Sequence, residues 1–171
     1  MVHINEAFKA ITEQLITNSR QSQDVVEDRL FQPANMDNRH LIEQIMSELV
    51  LSKSTILGFE NLRELYRRSQ NGESCLILSE HYSNFDIPAF FYLAKAFENG
   101  ETIMDTIVAM AGLKLNEESR FILAFTEAYS RIVIYPARAL DTIEDPATYE
   151  AELRRSRQIN RGALREMIRM K

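Results

Sequence analysis

His81 and Asp86 stand five residues apart in the stretch Ser79-Glu80-His81-Tyr82-Ser83-Asn84-Phe85-Asp86-Ile87-Pro88, with Ser83 between them. An imidazole exchanges protons readily near neutral pH. A carboxylate bonded to one ring nitrogen fixes the tautomer and leaves the other nitrogen to act as a base. The pair therefore suits removal of a proton from a hydroxyl. A plainer role fits the same residues: Asp86 caps the helix that follows, and His81 is an ordinary loop residue. Ser83 suits either a hydrogen bond to the turn backbone or a substrate contact.

The flanking sequence indicates what positions this turn. Cys75-Leu76-Ile77-Leu78 precedes it and Ala89-Phe90-Phe91-Tyr92-Leu93 follows, which reads as a buried strand, a polar turn and a helix over residues 88–98. Cys75 is expected to be an inert buried thiol. Phe90, Phe91 and Tyr92 are expected in the core. Around this centre the pattern predicts strands at 55–57, 74–78, 106–110 and 131–135. Helices are predicted at 60–70, with Arg63, Arg67 and Arg68 exposed, at 117–128, and at 148–170, with a loop over 137–147. Strands alternating with helices argue for an α/β fold with a mainly parallel sheet flanked by helices.

Residues 1–52 read as a helical segment, a small bundle of three amphipathic helices. The first carries Ile4, Ala7, Phe8, Ile11, Leu15 and Ile16, the second covers 23–31, and Asp37 caps the third. His3 and His40 are expected at the surface. The second domain is 53–171.

The 171-residue length suits one domain with a small appendage, and a 45% hydrophobic content supplies a core. One cysteine excludes an intrachain disulfide, and three dispersed His with no Cys cluster offer no metal site. The N-terminus lacks the form of a signal peptide, and no apolar run is long enough to span a bilayer. A reducing, cytoplasmic location is expected, with peripheral attachment at a membrane surface as its extension. Charge is uneven: residues 154–171 hold six Arg and one Lys against one Glu, a balance of +6, so the remainder carries −11 of the total −5. A basic helix of this kind suits a phosphate, an anionic lipid surface or, equally, solvent. The acidic remainder argues against nucleic acid.

The stretch Leu57-Gly58-Phe59-Glu60-Asn61-Leu62, the apolar run 74–78 and Glu80-His81-Tyr82-Ser83-Asn84-Phe85-Asp86 together resemble the opening of the glycerolipid acyltransferase superfamily. That family has a Gly-x-Glu-Asn-Leu entry, a hydrophobic strand and an Asn-His-x-Ser-x-x-Asp box. Glu80 stands where Asn is usual, while His81, Ser83 and Asp86 match. Phe125-Thr126-Glu127-Ala128-Tyr129-Ser130-Arg131 is similar to the family's Arg-containing block. Arg138 falls near basic phosphate contacts of the soluble, plastid-type glycerol-3-phosphate acyltransferases, and Asn160-Arg161-Gly162-Ala163-Leu164-Arg165-Glu166-Met167 is similar to that subgroup's next helix.

The resemblance spans about residues 55–171 and implies acyl transfer from a thioester, either acyl-CoA or acyl carrier protein, to the 1-hydroxyl of glycerol 3-phosphate in phospholipid synthesis. It implies His81 as general base, Asp86 as its orienting carboxylate, and Ser83, Arg131 and Arg138 as substrate contacts. No cofactor is required. Surface ion pairs are the plainer expectation for the two arginines, and Glu80 either acts electrostatically on His81 or points to solvent. The family's third box, Pro-x-Gly-x-Arg, has no counterpart up to Lys171. An incomplete sheet with an open apolar edge, and poor solubility or partner-dependent folding, is the expectation that follows. Two rival expectations stand: an anionic-lipid or membrane-surface binding module without catalysis, and an acyltransferase whose acceptor is a lysophospholipid or dihydroxyacetone phosphate.

Overall fold

The computed structural model describes residues 7–20, 30–113, 115 and 119–170. The chain divides into two compact units, residues 1–39 with 108–170, and residues 40–107.

The first unit is built on a three-stranded sheet in the order β1-β3-β2, with β1 Phe31–Gln32, β2 Ala109–Gly112 and β3 Arg131–Ile134. Strand β3 is central because its run is apolar on both faces: Ile132 is 2% exposed and Val133 is 0%. Strand β2 lies parallel to it, with Ala109 opposite Arg131 and Gly112 opposite Ile134. Strand β1 is antiparallel, with Phe31 opposite Ile132. The sheet is therefore mixed rather than mainly parallel. The expected helix over 23–31 lies mostly outside the described residues, and its last position, Phe31, is extended in β1.

Helix α1 (Lys9–Asn18) packs against α6 (Arg120–Thr126), which lies in the crossover between the parallel strands. The long helix α7 (Pro146–Arg169) covers β3 and buries Ser156, Ile159 and Ala163. Its start follows from composition: Asp145 accepts hydrogen bonds from Thr148 N at 2.7 Å and Thr148 Oγ1 at 2.6 Å, with Pro146 in the first turn. Asn160 docks it to the strand end. Its Oδ1 accepts from Tyr135 N at 2.8 Å and its Nδ2 donates to Tyr135 O at 3.0 Å, so one side-chain amide does the work of a neighbouring strand.

The unit also carries a buried polar set that its sequence does not advertise. Glu127, 2% exposed, accepts from Ser19 Oγ at 2.6 Å, Arg20 N at 3.0 Å and Asn35 Nδ2 at 3.3 Å. Asn38, fully buried, donates to Leu15 O and Ala124 O.

The boundary between the two units falls inside helix α2 (Met36–Leu49), between Arg39 and His40. At its start Asn35 Oδ1 accepts from Asn38 N at 3.4 Å, taking the capping position expected of Asp37, which instead pairs with Arg20. His40 is exposed as expected; His3 lies outside the described residues.

In the second unit, α3 (Phe59–Gln70) begins after Gly58, whose left-handed φ of 73° suits glycine. Phe59 stacks on Phe97 with ring centroids 4.3 Å apart. Arg63, Arg67 and Arg68 are exposed, and Glu64 binds the last two at 2.8 and 2.9 Å. Helix α4 (Asp86–Ala94) and helix α5 (Gly100–Asp105) pack together so tightly that a Cβ on Gly100 would lie 1.8 Å from Ala94 O. Lys95 Nζ reaches Glu43 at 2.7 Å and Glu101 at 3.3 Å.

Two expected strands do not form. Residues 55–57 and 74–78 are irregular, and no backbone group of residues 74–82 pairs with another backbone group among the described residues. A β-prone run becomes a strand only beside a neighbour that takes its hydrogen bonds, and no described residue does so here. Leu76 and Leu78 are consequently 67% and 86% exposed. Cys75 is exposed rather than buried, with Sγ 3.4 Å from Leu65 O.

Candidate functional site

The turn ahead of α4 brings His81, Ser83 and Asp86 together. Pro88 is tolerated in the first helical turn because amide hydrogens there lack intrahelical acceptors, and Asp86 at the same end meets the positive pole of the helix. The turn is tight: Asp86 N donates to Ser83 O at 3.1 Å and Phe85 N to Ser83 Oγ at 3.1 Å. Ser83 thus spends its hydroxyl on the turn, the plainer of its two expected roles.

Asp86 is not the helix cap. Its Oδ2 collects three partners: Tyr82 N at 2.7 Å, Ser83 N at 2.9 Å and His81 Nδ1 at 3.0 Å. An ionised carboxylate only accepts, so Nδ1 carries the hydrogen and the neutral ring presents its lone pair at Nε2. The two backbone donors hold the carboxylate from below while it holds the imidazole. These are the connections of a base whose orientation is set by a second residue. The site is open, with the His81 side chain 64% and the Asp86 side chain 35% exposed. Glu80 is exposed and accepts from the Tyr82 hydroxyl. Leu76 and Leu78 ahead of His81, and Tyr82 directly after it, are exposed.

Compared with protein-family models, curated proteins and solved structures, the chain matches none.

Arg131 and Arg138 belong to the other unit. Arg138 is exposed on a short 3-10 turn, Ala137–Ala139. Arg131 is 2% exposed at the start of β3, where Nε donates to Gln32 Oε1 at 2.7 Å. Its Nη1 and Nη2 are buried with no hydrogen-bond partner among the described residues. Burial pushes its pKa down to about 10, against a smaller opposing pull from Glu127. Sequence reasoning singled out Arg131 but read it as accessible; its place opposite Ala109 in the centre of the sheet is what buries it.

Reasoning from sequence did not anticipate the main support of the dyad, the two backbone donors on Asp86, because backbone amides carry no sequence signal. Among the described residues no group of three His, Cys, Asp or Glu could hold a metal ion, and no helix is long and apolar enough to cross a membrane.

Proposed function

We propose that the chain carries the general-base centre of an acyltransferase, with His81 as base and Asp86 as the residue that orients it. The observation behind this reading is the bond from His81 Nδ1 to Asp86 Oδ2 at 3.0 Å on a carboxylate already fixed by two backbone donors. The acceptor, by resemblance, is the 1-hydroxyl of glycerol 3-phosphate, and the donor an acyl-CoA or acyl carrier protein thioester.

His81 Nε2 takes the hydroxyl proton as the oxygen attacks the thioester carbonyl. The imidazolium that forms is stabilised by Asp86. Collapse of the tetrahedral intermediate breaks the carbon–sulfur bond, and the thiolate recovers the proton from the imidazolium. General-base assistance of this kind contributes about 10²–10⁴-fold. The exposed Leu76, Leu78 and Tyr82 suit the approach of an acyl chain, whose burial would exclude water from the ring.

The test is thiol release from an acyl thioester that depends on added glycerol 3-phosphate. His81→Ala is expected to lower that rate by about 10²-fold or more. A variant rate within twofold of the parent would remove the base assignment.

A further inference from the structure

The solvent face of α7 carries a pattern that the acyl-transfer reading does not use. Arg154, Arg157, Arg161 and Arg165 are all exposed and recur at steps of three and four, so they share one stripe. None of the four has an ion-pair partner among the described residues; the acids Glu152 and Glu166 engage Arg155 and Arg169 instead. Two aliphatic side chains interrupt the stripe, Leu164 at 57% and Ile168 at 65% exposed, and Met170 follows at 41%. The buried residues Ser156, Ile159 and Ala163 lie on the opposite face, against the sheet. From Arg154 to Ile168 the stripe runs about 21 Å at the helical rise.

A stripe that served only for solvation would have no call for exposed Leu and Ile among its charges. Arginines beside aliphatic groups on one helix face match a surface whose charge is negative and whose interior, a few ångströms down, is apolar. The guanidinium stems bury their methylenes while the heads reach phosphates. Single-stranded nucleic acid would favour aromatic stacking platforms, and this part of the stripe holds none. Charge asymmetry adds direction: a +6 segment on a chain otherwise at −11 would meet an anionic surface with this helix foremost.

We infer that the exposed face of α7 is a docking surface for an anionic lipid bilayer, with Arg154, Arg157, Arg161 and Arg165 at the headgroups and Leu164 and Ile168 at the acyl boundary. This inference does not rest on acyl transfer, and its readout needs no turnover, so the two stand or fall separately.

The experiment is sedimentation of the whole chain with vesicles of phosphatidylcholine alone, or with about 30% phosphatidylglycerol, at about 50 mM and about 500 mM NaCl. Binding is expected only to the anionic vesicles and weakens at high salt. Arg154→Gln with Arg161→Gln should weaken it about 25-fold, at about fivefold per charge. Leu164→Ser with Ile168→Ser, both at exposed positions that leave the fold intact by circular dichroism, should weaken it about tenfold at low salt. Equal binding to neutral vesicles, or double variants within twofold of the parent, would overturn the inference.

Discussion

Replacing Arg131 by Met removes a charge from the centre of the sheet while nearly conserving the side chain's length and volume. Burial brings this guanidinium from its ordinary range down to about 10, which corresponds to about 3 kcal/mol held against the folded state while it is charged. Two of its nitrogens have no hydrogen-bond partner among the described residues, so little offsets that cost. The substitution gives up the bond to Gln32 at 2.7 Å, worth about 1.5–3 kcal/mol as a bond to a charged group. Glu127 keeps Ser19, Arg20 and Asn35 as partners. The two terms nearly cancel, and Arg131→Met is expected to lie between neutral and about 1.5 kcal/mol more stable than the parent in urea unfolding at pH 7. Arg131→Ala, which leaves a void, should be less stable than the Met variant by about 2 kcal/mol or more. The pH dependence has a definite sign. From about 10 up to the ordinary guanidinium range the unfolded chain keeps the Arg131 proton that the folded chain releases, so the parent's stability gains with rising pH in that window and the Met variant's does not. A Met variant more than about 2 kcal/mol less stable than the parent would refute the claim that this charge is uncompensated.

Three further outcomes can be measured. Asp86→Asn keeps an oxygen for Tyr82 N and Ser83 N but loses the charge that favours the imidazolium; thiol release should fall by about 10²-fold or more while the circular dichroism spectrum is unchanged. Nitrogen NMR of His81 should show the neutral ring protonated at Nδ1 in the parent and a mixture of tautomers in that variant. Gly100→Ala places a methyl carbon 1.8 Å from Ala94 O, so α4 and α5 must separate; unfolding should occur about 1–3 kcal/mol sooner. The bonds from Thr148 hold the Asp145 carboxyl below the usual carboxylate range. Its contribution to α7 is therefore complete above that range and fades as pH falls through the lowered value, and Asp145→Ala should lose helicity at neutral pH yet match the parent in strong acid.

What the sequence disclosed, and what it withheld, follows from the range of the interactions. Strand β3 was legible because Ile132 and Val133 belong to an unbroken apolar run, and α7 because Ile159, Ala163 and Met167 recur on one face. The His81–Asp86 bond was legible because both partners lie in one short turn. Residues 74–78 were misread because an apolar run reports a preference for a strand, whereas forming one depends on a neighbour elsewhere in the chain. Helix α5 was missed because Asn99-Gly100 reads as a stop. In the fold Asn99, at φ 58°, closes one segment, and Gly100, pressed on Ala94 O, opens the next helix. Arg131 looked like a surface charge; its burial, like that of Glu127, depends on residues about a hundred positions away in the chain, Gln32 for the first and Asn35 and Ser19 for the second.

The bonds that shape the turn at His81 all close within five residues: Ser83 to Asp86, Tyr82 to Asp86 and His81 to Asp86. Loops this short close in well under a microsecond, far faster than the pairing of β1 with β3 across a separation of about a hundred residues. The dyad therefore belongs to the earliest structure to appear on the folding path. It can assemble and dissolve many times before the sheet is complete, and its geometry is stored in a short peptide rather than in the tertiary fold.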